Sequence, residues 1–139
     1  MTNDFHIHIR SEADISIALH VSKRLAAGMG FSDVEEMFVA TAVSELGNNL
    51  FFHANGGVIT VRTLTYPDRR GIEILSQDEG PGIEDINLAM TDGYSTAGSL
   101  GHGLGAVRRL MDEFEIESTR GKGTRIAARI WGSGAPKPR

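Results

Sequence analysis

Seventeen glycines punctuate this chain, and twelve of them fall after residue 70. Glycine costs about 1 kcal/mol against alanine inside a helix and weakens a strand interior. Glycine clusters therefore mark where regular structure must stop. They sit at Gly28 and Gly30, at Asn55-Gly56-Gly57, at Asp78-x-Gly80-x-Gly82, at Gly101-x-Gly103-x-Gly105 and at Gly121-x-Gly123-Thr124. Helices and strands have to fit between them.

The segments between these joints have clear periods. Phe5, Ile7 and Ile9 alternate with His6, His8 and Arg10, the pattern of a strand with one polar face. Ser11 then caps a helix expected over about 12–28, with Ile17, Val21 and Leu25 recurring on one side. Ser32-x-x-Glu35 is a capping box. It opens a second helix to about Ala54, with Val39, Val43, Leu46 and Leu50 as its core stripe. Val58 to Leu64 and Gly71 to Ser76 flank a Pro67-Asp68 turn and form a predicted hairpin. A third helix is expected over about 103–113, followed by strands at 114–118 and 124–131. The sum is an α+β sandwich with a mixed, mostly antiparallel sheet and its helices on one face. One domain over residues 1–131 accounts for all these elements, and 132–139 reads as a disordered tail.

Composition removes several function classes. A net charge of −4 is a poor match to a phosphate-backbone surface, so no nucleic-acid partner is expected. The chain has no cysteine, which excludes disulfides and cysteine-ligated zinc. No apolar run approaches the roughly 20 residues that span a bilayer. A cytoplasmic protein with no membrane partner is the expectation. The five histidines are scattered, apart from His6 and His8 on one strand face, and suggest no metal cluster.

The polar motifs carry the chemistry. Glu45 and Asn49 are four apart on the second helix and share a face, placed opposite the core stripe. A carboxylate beside an amide suits Mg²⁺ held largely by phosphate oxygens, with the carboxylate able to take a proton. The same pair alone also fits a solvated helix face. Gly47 between them implies a close approach, by a ligand or a strand. Asp78 follows a strand and could accept from an adenine amino group, with Gly80 and Gly82 letting backbone pass near a flat ring; a plain turn explains the same residues. Gly101-His102-Gly103-Leu104-Gly105 opens a helix and would offer N–H groups to phosphate. A dinucleotide loop should instead follow the first strand within a βαβ unit, which this one does not. Gly121-Lys122-Gly123-Thr124 is a hairpin turn from which Thr124 could reach a nucleotide. No Walker loop or Ser-His-Asp signature occurs.

Together and in this order, these motifs resemble the GHKL superfamily of ATPases and kinases. Glu45-Leu46-Gly47-Asn48-Asn49 is similar to its N box, and Asp78-x-Gly80-x-Gly82-Ile83 to its G1 box. Gly101 to Gly105 is similar to its G2 box, and Gly121 to Thr124 to its last glycine-threonine element. The chain's size leaves the small bacterial anti-sigma-type serine/threonine kinases. Ser44-Glu45-Leu46, Asp92-Gly93-Tyr94-Ser95-Thr96 and Arg109 to Phe114 most resemble the branch of stressosome switch kinases.

The resemblance implies a Bergerat-type two-layer fold with 79–102 as an ATP lid. It implies ATP and Mg²⁺ as cofactors, Glu45 as catalytic base and Asn49 as magnesium ligand. Asp78, Gly80, Gly82, Ile83 and Thr124 would hold adenine, and Gly101, His102, Gly103, Leu104 and Gly105 the phosphates. Arg108, Arg109 and Lys122 are candidates for the terminal phosphate. The implied substrates are serine or threonine on STAS-domain antagonist and scaffold proteins. The implied later partner is a PP2C-type phosphatase. In a sibling branch the protein is an anti-sigma factor that sequesters a sigma factor, with little kinase activity.

Overall fold

The computed structural model describes residues 4–83, 86, 90 and 103–133. The elements run β1 (Asp4–Ile9), α1 (Glu12–Gly28), α2 (Asp33–His53), β2 (Gly57–Thr65), β3 (Arg70–Asp78), α3 (Gly103–Leu110), β4 (Glu113–Thr119) and β5 (Gly123–Trp131). The five strands form one sheet in the order β1-β2-β3-β5-β4, and every neighbouring pair is antiparallel. The expected α+β fold is borne out, with no parallel pair among the described strands.

Register explains the two faces. Ile7 pairs with Ile59, Ile59 with Ser76, Ser76 with Ile126, and Ile126 with Ile116. One row further along, Val61, Ile74 and Ala128 align. Alternation puts these side chains on one face; Ile59, Val61, Ile74, Ile126 and Ala128 are buried with Val39, Val43, Leu46 and Leu50 of α2 in a single core, and Ile7 and Ile116 pack against it. The expected α2 stripe is thus correct, and its four residues are fully buried.

The expected stripe on α1 is not. The helix buries Ile15, Ala18, Ser22 and Ala26, while Ile17 is 52% exposed. Small residues face inward so that α1 can lie close to α2. Ser22 satisfies its buried hydroxyl by donating to the Leu19 carbonyl at 2.9 Å. The same closeness explains Gly47. A Cβ there would stand 3.0 Å from Cγ2 of Ile15, so the glycine admits a neighbouring helix and not a strand.

Local signals fix the helix starts. The N–H of Glu35 donates to Ser32 Oγ at 3.1 Å and the N–H of Ser32 donates to Glu35 Oε1 at 2.9 Å, the reciprocal box expected. Burial works against the charged form of Glu35, yet hydrogen bonds from Ser32 and Ser133 hold its carboxyl below the usual range. The Asp14 carboxyl is also lowered, chiefly by the Arg10 N–H that donates to it at 2.8 Å. The third helix stops at Leu110, three residues before the expected end. The Asp112 N–H donates to the Arg129 carbonyl at 2.8 Å, which draws the chain into the sheet.

The opposite sheet face carries charge. Asp4, Arg62, Glu73, Arg129 and Glu113 lie in one register row across all five strands. Glu73, only 5% exposed, accepts from Arg62 at 3.0 Å and from Arg129 at 2.6 Å. A buried carboxylate with two guanidinium partners avoids the large cost of an unpaired charge. Burial works against the charge of Arg129, yet hydrogen bonds to Glu115, Glu73 and Glu113 hold it further toward its charged form. Glu113 is lowered, first by the Trp131 indole N–H at 2.8 Å and then by Arg129. No described helix is long and apolar enough to cross a membrane.

Candidate functional site

Two of the polar motifs meet at one end of the sheet. On the helix-covered face, the apolar rows end in a polar one. Asp78 pairs with Thr124 and Thr124 with Ser118, so three strands deliver three polar side chains in line. Asp78 Oδ1 accepts the Gly80 N–H at 2.8 Å and the Thr124 N–H at 3.3 Å. The carboxylate is therefore fixed by backbone on both sides. Thr124 is buried, and its hydroxyl lies 2.9 Å from Ser118 Oγ.

The glycines nearby are required by the protein's own backbone. Gly82 has φ +82°, and a Cβ there would meet the Thr119 carbonyl at 2.6 Å. Gly123 has φ +124°, and a Cβ would run into the Asp78 carbonyl. A Cβ on Gly80 would stand 3.0 Å from Ala54 at the end of α2. These contacts close the β3 and β4–β5 loops together, with the Gly121 N–H donating to the Pro81 carbonyl at 2.8 Å. Lys122, exposed, rides on this turn.

The second half of α2 faces the start of α3. Glu45 is expected on a face opposite the core stripe; it is buried, 8% exposed. Its Oε1 accepts the Gly103 N–H at 2.9 Å. Gly103, at φ +59°, is the first residue of α3. The first N–H groups of a helix lack intrahelical partners and favour negative charge, which accounts for a carboxylate at this point. Asn49, one turn on, is half-buried. Gly105 is buried, and the Leu104 side chain belongs to the core. Arg108 and Arg109 are exposed in the last turn of α3. Gly101 and His102 lie outside the described residues, as do most of the expected lid and residues 134–139 of the tail.

Sequence reasoning passed over Ser118. It accepts the Ile83 N–H at 2.7 Å, so it ties the end of the Asp78–Ile83 loop to β4. The signal was available: Phe114, Ile116 and Ser118 alternate, and the third member is polar in an otherwise apolar series.

A profile of the histidine kinase-like ATPase domain matches residues 10–130. The chain belongs to the histidine kinase-like ATPase family. The resemblance drawn from the four motifs is therefore correct. Within the family, the chain is 40% identical over 131 residues to the serine/threonine-protein kinase RsbT of Bacillus subtilis, covering 94% of this chain and 98% of that one. It is 37% identical over 117 residues to an anti-sigma F factor of Caldanaerobacter subterraneus, covering 80% of each. The mycobacterial sensor histidine kinase MprB shares the fold, with a TM-score of 0.53, 17% identity and coverage of 95% of this chain and 98% of that one. Family membership makes the chain an ATP-using enzyme of the serine/threonine-protein kinase class.

Proposed function

We propose that this protein transfers the terminal phosphoryl group of ATP to a serine or threonine of a STAS-domain antagonist or scaffold protein. It then exchanges that partner for a PP2C-type phosphatase. The observation that carries the reading is spatial. A fixed carboxylate with a hydroxyl beside it (Asp78 and Thr124) stands at one end of the sheet, and Glu45, one turn before Asn49 on α2, contacts the start of α3.

The roles follow from chemistry. Asp78 accepts from the adenine amino group, and Thr124 completes the contact. Gly80, Gly82 and Ile83 line the base. The Gly101–Gly105 segment binds the phosphates, where a helix start favours anions; without nucleotide the Gly103 N–H is held by Glu45. Asn49 is the protein's magnesium ligand. Among the described residues no three His, Asp or Glu side chains cluster to cage a metal. One amide oxygen suits a Mg²⁺ bound mainly through phosphate and water, which when bound offsets phosphate charge. Glu45 has further lone pairs beyond the one taken by Gly103, so it can accept the proton of the attacking hydroxyl. Phosphoryl transfer demands mostly positioning and charge stabilisation, which such a small site can supply.

A second reading has support from the anti-sigma F factor relatives: a module that sequesters a sigma factor with little transfer. Labelled ATP and a STAS-domain protein separate the two. Label on the STAS serine or threonine supports the kinase. Partner capture without label by both wild type and Glu45→Ala supports the module. Absence of any magnesium-dependent thermal shift with ATP or ADP overturns both.

A further inference from the structure

Ser118 has no place in the motifs that define the site, yet it contacts two of them. It sits on β4, in register with Thr124, which is in register with Asp78. Its Oγ accepts the Ile83 N–H at 2.7 Å, lies 2.9 Å from Thr124 Oγ1 and 3.4 Å from the Gly123 carbonyl. A serine hydroxyl has one proton to give. The Ile83 N–H takes an acceptor site, and the proton has two acceptors within reach, Thr124 Oγ1 and the Gly123 carbonyl. In the first arrangement Thr124 receives a hydrogen bond from Ser118 and keeps its own proton to donate.

We propose that Ser118 is a positioning residue that sets the Thr124 hydroxyl as a donor beside the Asp78 acceptor, and so makes the site selective for a 6-aminopurine over a 6-oxopurine. The inference rests on the nucleotide reading above. Asp78 already receives the Gly80 and Thr124 N–H groups on Oδ1, and its second oxygen is the acceptor offered to a base. The row thus presents an acceptor next to a donor. Adenine presents the complement, an amino donor at C6 next to the N1 acceptor. A 6-oxopurine presents an oxygen and an N1–H, and both meet their like. Sites built on paired hydrogen bonds reject such analogues strongly, because polar groups are left unmatched. Without Ser118, the Thr124 hydroxyl can turn and accept the N1–H, and selectivity narrows. Ser118 touches no base itself and acts through Thr124.

The test is titration of ATP and inosine triphosphate, each with Mg²⁺, against wild type, Ser118→Ala, Ser118→Thr, Thr124→Ala and the Ser118→Ala/Thr124→Ala double variant. Thermal unfolding without nucleotide reports folding. Wild type should prefer ATP. Ser118→Ala should lose ATP affinity and narrow the preference by about three- to tenfold, the range for one hydrogen bond. Ser118→Thr keeps the hydroxyl and should restore both. In the Thr124→Ala background, Ser118→Ala should leave the preference unchanged, because the residue it acts through is gone. An unchanged preference in Ser118→Ala, an equal loss for both nucleotides, or a narrowing that persists undiminished in the Thr124→Ala background would overturn the positioning role while leaving the nucleotide site standing. A wild type that binds neither nucleotide would overturn the nucleotide site itself and this role with it.

Discussion

Replacing Glu45 separates its chemistry from its structural contact. The carboxylate accepts the Gly103 N–H at 2.9 Å and is nearly buried. Glu45→Ala deletes that hydrogen bond and leaves the start of α3 without its charged partner. A bond to a charged group, or the loss of a helix cap, is worth about 1–2 kcal/mol. Unfolding entropy of about 2.1 cal/mol/K per residue makes each kcal/mol worth about 3–4 °C in a chain of 139 residues. The melting temperature should therefore fall by about 3–8 °C. Glu45→Gln keeps an acceptor oxygen of the same reach but cannot take a proton, so its Tm should stay within about 2 °C of wild type. Transfer should fall by about 10²–10⁴-fold in both, the usual contribution of a positioned base. The assay is initial-rate transfer from labelled ATP to a STAS-domain protein, with Tm by calorimetry on the same samples. Retention of most transfer by Glu45→Gln would refute the base. An unchanged Tm in Glu45→Ala would refute the stabilising role of the Gly103 contact.

Other expectations follow from the same geometry. Asp78→Asn removes a charged acceptor and should weaken ATP binding about ten- to a hundredfold by titration calorimetry; unchanged affinity would count against Asp78 as the adenine partner. Gly123→Ala drives a Cβ into the Asp78 carbonyl at a positive φ and should cost about 2–4 kcal/mol in chemical denaturation; a wild-type midpoint would show that the loops relax freely. The Asp14, Glu35 and Glu113 carboxyls are lowered in the folded protein. Their stabilisation is present above the unfolded carboxylate values near about 4 and is lost as pH falls through the lower folded values. Tm should drop as pH decreases below about 4, and the triple change to Asn and Gln should flatten that drop.

Legibility followed the physics of each element. The α2 stripe could be read because large apolar residues at Val39, Val43, Leu46 and Leu50 keep helical spacing. The α1 face was misread because its contact is built from small residues. Ala18, Ser22 and Ala26 carry little hydrophobic signal, and only the close approach of α1 to α2, seen at Ile15 and Gly47, accounts for their turning inward. The first and last strands were visible from period-two alternation and the middle pair from the Pro67-Asp68 turn, whereas strand order depends on pairings far apart in sequence. The third helix was drawn too long because Met111 continues its apolar pattern. The sheet bond from Asp112 to Arg129 overrides that local preference. At the site, residue types and spacing singled out Glu45, Asn49, Asp78 and Thr124 as candidates. They did not reveal that Glu45 is buried against Gly103, or that Ser118 shares the Thr124 row. Both facts depend on tertiary contacts between distant segments.

The central claim is that a nucleotide lies with its base at the Asp78–Thr124 row and its phosphates at the start of α3. Backbone amide NMR during titration with Mg²⁺ and ADP measures that location directly. The account predicts shifts concentrated at 45–49, 78–83, 103–105 and 119–124, with the far end of the sheet around Tyr66, Arg70 and Trp131 unmoved. Shifts clustered at that far end, or none at saturating nucleotide, would contradict it.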